Sequence, residues 1–170
     1  MFGREGRARR LIASHLESHD VSRVIYGTVI GLALVVALQW HPPSAGQAVV
    51  AVLGTAVAVA MAEIYSELIG AEARTRRPVR ARQARAAAVQ ASAVLFGAGF
   101  PAIFFVLAAA GVLATSLAFD LAKWTGLGLI CAYGYVAGRL SGSSVGGALL
   151  HAAGAGTIGG VLIALKALLH

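Results

Sequence analysis

The chain has 170 residues, 58% of them hydrophobic and only 12% charged, a balance far more apolar than one soluble core requires. It excludes an ordinary soluble globular domain and points to a membrane protein. A net charge of +7 and a pI near 10.5 would suggest nucleic acid in a soluble chain. Here the cations flank apolar segments, where anionic lipid headgroups are the nearer partner and nucleic acid is not expected.

No formally charged residue occurs between Arg23 and Glu63, between Arg85 and Asp120, or between Arg139 and Lys166. About 20 helical residues cross a hydrocarbon core of roughly 30 Å, so each of the first two runs is long enough to cross and return. Ahead of them, residues 1–20 form a polar segment in which Arg4, Arg7, Arg9 and Arg10 precede Leu11, Ile12 and Leu16. Ile12, Leu16 and His19 share one helical face, which suits a helix lying on the membrane surface. A cleaved signal peptide is not expected, because the apolar run begins only after Arg23 and no small-residue cleavage site follows it before the next.

In chain order, a first membrane helix is expected over 21–40, with Trp40 at the interface and Pro42 and Pro43 as breakers. A second is expected over 45–69, followed by a basic cytoplasmic connector over 71–88. Arg74, Arg76, Arg77, Arg80, Arg82 and Arg85 lie in that connector, interrupted by Pro78, and suit lipid headgroups or charge pairing. A third helix is expected over 89–113, kinked at Pro101. Ser116 is the expected N-cap of a fourth over 117–139, and the fifth is expected over 144–169.

The fold class read from this pattern is all-α and polytopic, with a five-helix membrane domain over 21–170. Five spans put all twelve arginines on one side and leave Lys123 and Lys166 toward the other. Arginine and lysine stay on the cytoplasmic side of short loops, so the N-terminus is expected inside and the C-terminus outside. The arginine-over-lysine and alanine bias suggests a bacterial plasma membrane.

Glu63 and Glu67 stand one helical turn apart at the end of the second apolar run. Two readings are open: both pair with connector arginines, or Glu63 stays within the bundle and binds a proton or cation, as intramembrane carboxylates commonly do. His15 and His19 could offer two imidazoles to a metal, but a spacing of four with no third ligand in register points instead to a solvated or interfacial helix. Asp120, Lys123 and Trp124 suit a local pair with an interface anchor, and Lys166 can snorkel. Gly27 with Gly31, Gly134 with Gly138, and Gly156 with Gly160 are Gly-x-x-x-Gly pairs that allow close helix packing, within the chain or across a homodimer seam. Cys131 reads as a small core residue. No catalytic site is apparent and no cofactor is implied.

Five spans with the longest polar connector after the second resemble the plan of the vacuolar iron transporter family. "YGTVIGL" keeps Gly27 and Gly31 at the spacing of the family's Gly-x-x-Asp-Gly, with Ile30 in the aspartate's place. "AEIYS" is similar to the family's Gly-Glu-Tyr-x-Ser: it keeps Glu63 and Ser66, replaces the glycine and tyrosine with Ala62 and Ile64, and displaces Tyr65 by one position. The final stretch from "GRLSG" is also similar. The resemblance implies a small-cation or proton-coupled transporter working as a homodimer with helix one at the interface, and it makes Glu63, Glu67, Tyr65, Ser66 and Met61 transport candidates. The family's glutamate-rich metal-binding domain has no counterpart in the short basic connector, which would repel a divalent cation. The alternative is a non-transporting membrane scaffold or partner-binding subunit that kept the fold.

Overall fold

A computed structural model describes the backbone of residues 18–168 and the side chains of 21–164. Of the expected surface segment 1–20, residues 1–17, His15 included, lie outside the described residues, as does His170, and residues 18–20 form the start of the first helix. Among the described residues the regular elements are all α-helices: α1 (Ser18–Leu38), α2 (Ala45–Thr75), α3 (Ala81–Gly99), α4 (Ala102–Ala109), α5 (Thr115–Leu140) and α6 (Val145–Leu168).

Three of them are long and apolar enough to cross a bilayer, over Val21–Leu38, Ala45–Thr75 and Val145–Ala164. Helices α3 and α4, bent by 52° at their break, together make a fourth candidate. The long apolar helices mark a membrane protein. Helix α5 has 26 residues, about 39 Å, yet Asp120, Lys123 and several Thr and Gly residues dilute its apolar content.

Local chemistry accounts for the helix ends. At the start of α2, Ser44 and Gln47 form a capping box: Gln47 N–H donates to Ser44 Oγ at 3.3 Å and Ser44 N–H donates to Gln47 Oε1 at 3.0 Å. Helix α2 continues beyond the expected end at 69 to Thr75, and α3 starts at Ala81 rather than 89. Most of the expected connector is therefore a helical hairpin, because alanine, arginine and glutamine are good helix formers whatever their charge. The turn falls at Arg76, which closes α2 in the left-handed region at φ 51°, ψ 33°, a conformation costing a non-glycine residue roughly 1–2 kcal/mol.

The kink expected at Pro101 is present. Proline lacks the N–H that would bond to the preceding turn, and the chain crosses the break on tighter bonds from Ile103 N–H to Phe100 O and from Phe104 N–H to Pro101 O. Ser116 is not the N-cap of α5: Ala114 holds that position without a side-chain bond, and Ser116 lies in the first turn. The start of α6 matches expectation, with Ser144 Oγ accepting from Gly147 N–H at 3.2 Å.

Glycine sets the packing of the bundle. A Cβ on Gly27 would collide with the Val94 carbonyl, and one on Gly31 would lie 2.7 Å from Ala98 O. From the other helix, a Cβ on Gly97 would strike the Val24 carbonyl. Helices α1 and α3 thus run parallel in backbone contact. Helices α5 and α6 meet antiparallel, with Gly134 against His151 and Ala155, Gly138 against Ala148, and Gly156 against Cys131. The expected pair of Gly156 with Gly160 needs correction: Gly160 faces open space, and Gly159 packs against Leu127, Leu32 and Ile130.

Val35, Ala48, Val52, Ala102, Phe105, Ala118, Phe119 and Ala122 form a buried cluster, with Phe105 and Phe119 edge to face at 4.7 Å between centroids. It joins the C-terminal part of α1, the N-terminal parts of α2 and α5, and α4. The opposite end gathers the N-terminal parts of α1 and α3 and the C-terminal parts of α2 and α5. Overpacking a close backbone contact costs about 1–3 kcal/mol or more. Gly27→Leu and Gly97→Leu should therefore lower the thermal midpoint in detergent clearly, while Gly54→Leu and Gly160→Leu, which face open space, should leave it nearly unchanged.

Candidate functional site

Arg23 sits near the start of α1 and reaches across to two other helices. Its Nε donates to Glu63 Oε1 on α2 at 3.2 Å, and its Nη2 donates to Gln90 Oε1 on α3 at 3.1 Å. The pair is largely enclosed, with the Arg23 side chain 15% exposed and that of Glu63 29%. Arg23 Nη1 is buried without a hydrogen-bond partner among the described residues. One guanidinium thus ties three helices at a single level, and the fork geometry of arginine suits such a junction.

Glu63 lies roughly 27 Å along α2 from Ala45, and its partner is Arg23 rather than a connector arginine. Glu67 follows the expected pairing, receiving Arg74 Nη2 at 3.2 Å on the exposed surface, where the two side chains are 66% and 42% open. Met61, Tyr65 and Ser66 face outward from α2. Of the five transport candidates, only Glu63 turns into the bundle. Ile30 is half-buried on α1.

Beyond Arg23 the hairpin carries most of the charge of this end, and Arg139 in the last turn of α5 adds to it. Glu72 Oε1 accepts from Val79 N–H at 3.2 Å, Arg76 N–H donates to Glu72 O at 2.8 Å, and Arg80 N–H donates to Gln83 Oε1 at 2.9 Å, so the turn is internally braced. A groove of about 220 Å³ runs between the two helices from Thr75 and Gln83 to Gln90. A larger cavity of about 570 Å³ opens at the tip, lined by Thr75, Arg77, Pro78, Arg80, Arg82 and Gln83.

At the opposite end Lys123 Nζ donates to Asp120 Oδ1 at 2.9 Å and lies 5.8 Å from the centre of the exposed Trp124 ring. This is the local pair and anchor expected from the spacing. No group of three His, Cys, Asp or Glu residues converges as a metal site among the described residues. His15 falls outside them, and the side chains of His19 and Lys166 are likewise not described. Sequence reasoning missed Arg23 and Gln90 as members of the site. The available signal was depth: two antiparallel helices place the first residues of α1 at the level reached by α2 after some 18 residues.

No protein-family model matches the chain, and no curated protein or solved structure matches it.

Contacting charged residues show coupling energies of about 0.5–3 kcal/mol, and exposed pairs stay below about 1 kcal/mol. A double-mutant cycle on Arg23→Ala and Glu63→Ala, read by unfolding in mixed micelles, should therefore give a coupling above that of Arg74→Ala with Glu67→Ala. Equal couplings would mean that the Arg23 junction is no stronger than a surface pair.

Proposed function

We propose that this chain is a five-span bacterial plasma-membrane protein that serves as a non-transporting scaffold or partner-binding subunit, with its arginine-rich end in the cytoplasm. The observation that carries this reading is the occupation of Glu63 by Arg23 at 3.2 Å. A cation approaching Glu63 would meet a guanidinium at hydrogen-bond distance. Pulling the pair apart would leave a charge unpaired inside the bundle, at a cost on the order of 3 kcal/mol. The second N–H bond, to Gln90, makes the junction a brace between helices.

A second reading, a small-cation or proton-coupled transporter, draws on the enclosed position of Glu63 and on the resemblance to vacuolar iron transporters. In it Arg23 leaves Glu63 in each cycle to admit the cargo. The homodimer that accompanies this reading would place helix one at the seam, where Gly27 and Gly31 already serve α3.

The topology rests on the separation of charge. Arg23, Arg74, Arg76, Arg77, Arg80, Arg82, Arg85 and Arg139 belong to one end of the bundle, the end that positive charge retains in the cytoplasm. Trp40 and Trp124, both exposed, belong to the other and suit its interface. Helix α5 then crosses as the fourth span, and the chain ends outside.

After Cys131→Ser, a cysteine at His41 or Val112 should react with an impermeant maleimide in intact cells, and one at Arg82 only after permeabilisation. Similar reactivity at all three sites would overturn the topology.

In proteoliposomes the wild type should carry no iron(II), manganese(II), zinc(II) or proton flux above empty vesicles. A flux abolished by Glu63→Gln and kept by Glu67→Gln would replace the scaffold reading with the transporter.

A further inference from the structure

We infer that the tip of the α2–α3 hairpin is a binding site for a small soluble polyanion bearing phosphate groups. Three arginines, Arg77, Arg80 and Arg82, line its cavity with Thr75, Pro78 and Gln83, and no acidic residue is among the lining. The cavity, about 570 Å³, is an open depression whose lining residues are all exposed, so its arginines are accessible from water. Of the hairpin's acids, Glu67 holds Arg74 away from the lining, and Glu72 receives the Val79 N–H within the turn itself, its carboxylate outside the lining. Among the described residues none of the three lining arginines has an ion-pair partner.

These cations are displayed on a braced turn. Arg76 holds the left-handed position, and Thr75 Oγ1 donates to Ala71 O at 2.8 Å. The left-handed position favours glycine, yet a further cation stands there. Guanidinium forks match pairs of phosphate oxygens, and α3 begins within the lining, so its positive helix end adds to the same field. Carboxylate or halide ligands would use few of these donors. A di- or triphosphate group carries enough charge and oxygen acceptors to serve several forks.

The depth of the tip identifies the source, and this step rests on the membrane placement proposed above. A span entering at Ala45 completes about 30 Å near Tyr65, and Thr75 lies about 15 Å further on. One headgroup layer accounts for only about 5–8 Å of that distance. The cavity therefore opens in water beyond the headgroups.

The test titrates inorganic pyrophosphate into the full chain in an uncharged detergent at fixed ionic strength. Saturable binding of one pyrophosphate per chain is expected. Combined Arg77→Gln, Arg80→Gln and Arg82→Gln should weaken it at least about tenfold, from the loss of several charged hydrogen bonds. Removing the same number of charges outside the lining, with Arg74→Gln, Arg85→Gln and Arg139→Gln, should weaken it by no more than about threefold. Equal losses, or no saturation, would overturn the site in favour of diffuse charge.

Helical circular dichroism monitors folding, and the three single variants, each expected to lose about threefold, carry the test if the combined variant misfolds. In nanodiscs, replacing one fifth of the phosphatidylcholine with phosphatidic acid should change the affinity by less than about threefold. A tenfold loss there would mean that headgroups fill the cavity, overturning the soluble source. The micelle titration needs no bilayer, so its failure leaves the scaffold reading standing. Inverted labelling at residue 82 would instead overturn the topology and leave the cavity intact.

Discussion

Helices α1 and α3 lie in backbone contact, and most of the molecule is arranged around that approach. It exists because Gly27, Gly31 and Gly97 have no Cβ where the partner backbone passes. The two helices are parallel and rise equally per residue, so a contact at one level fixes the next. Gly27 meets Val94, Gly31 meets Ala98, and Arg23, a turn earlier, meets Gln90, each pair separated by the same 67 positions. Arg23 reaches its partners because glycines further along the helix hold α1 and α3 in register. Thr28, sealed in the same seam, satisfies its hydroxyl by donating to Val24 O at 2.7 Å. The antiparallel return of α2 then brings Glu63 to the arginine from the third side.

The helical class, the kink at Pro101, the start of α6 and the order of elements were legible in the sequence. Each rests on a local signal, such as an uncharged run, a missing N–H or a glycine-rich break between apolar runs. The ends of α2 and α3 were not legible, because charge was read as the end of a helix. Charge ends a membrane span, since hydrocarbon will not solvate it, but leaves helix propensity almost unchanged, and the alanines and arginines after Gly70 carry the helix on into the basic hairpin. Helix α5 presents the reverse difficulty. Its Asp120 and Lys123 lower its apolar content without interrupting the helix, because the two neutralise each other one turn apart.

The site was half legible. Glu63 stood out as a carboxylate at the end of an uncharged run, and Glu67 found the arginine expected of it. The partner of Glu63 was hidden because it lies 40 positions away and is selected by the register between helices, which no local pattern encodes. Glycine spacing likewise indicated close packing but not which face would be used. Gly159 rather than Gly160 meets the bundle, since a one-residue step turns a helix by about 100°.

Charge separation along the bundle axis links these features. Every arginine with a described side chain belongs to one end, but their surroundings differ with depth. Arg23, the deepest, is enclosed and held by Glu63 and Gln90. Arg74, further out, shares an exposed pair that contributes little. Arg77, Arg80 and Arg82 at the tip have no acidic partner among the described residues. This gradient follows from solvation: a guanidinium inside the bundle must be paired, whereas one in water can remain available to a ligand. The chain meets both conditions with few carboxylates, placing Glu63 where pairing is obligatory and using the Glu72 carboxylate to brace the turn. The part of the molecule best fitted to bind something is thus the part furthest from the apolar bundle, held in place by a hairpin whose own acids are already engaged.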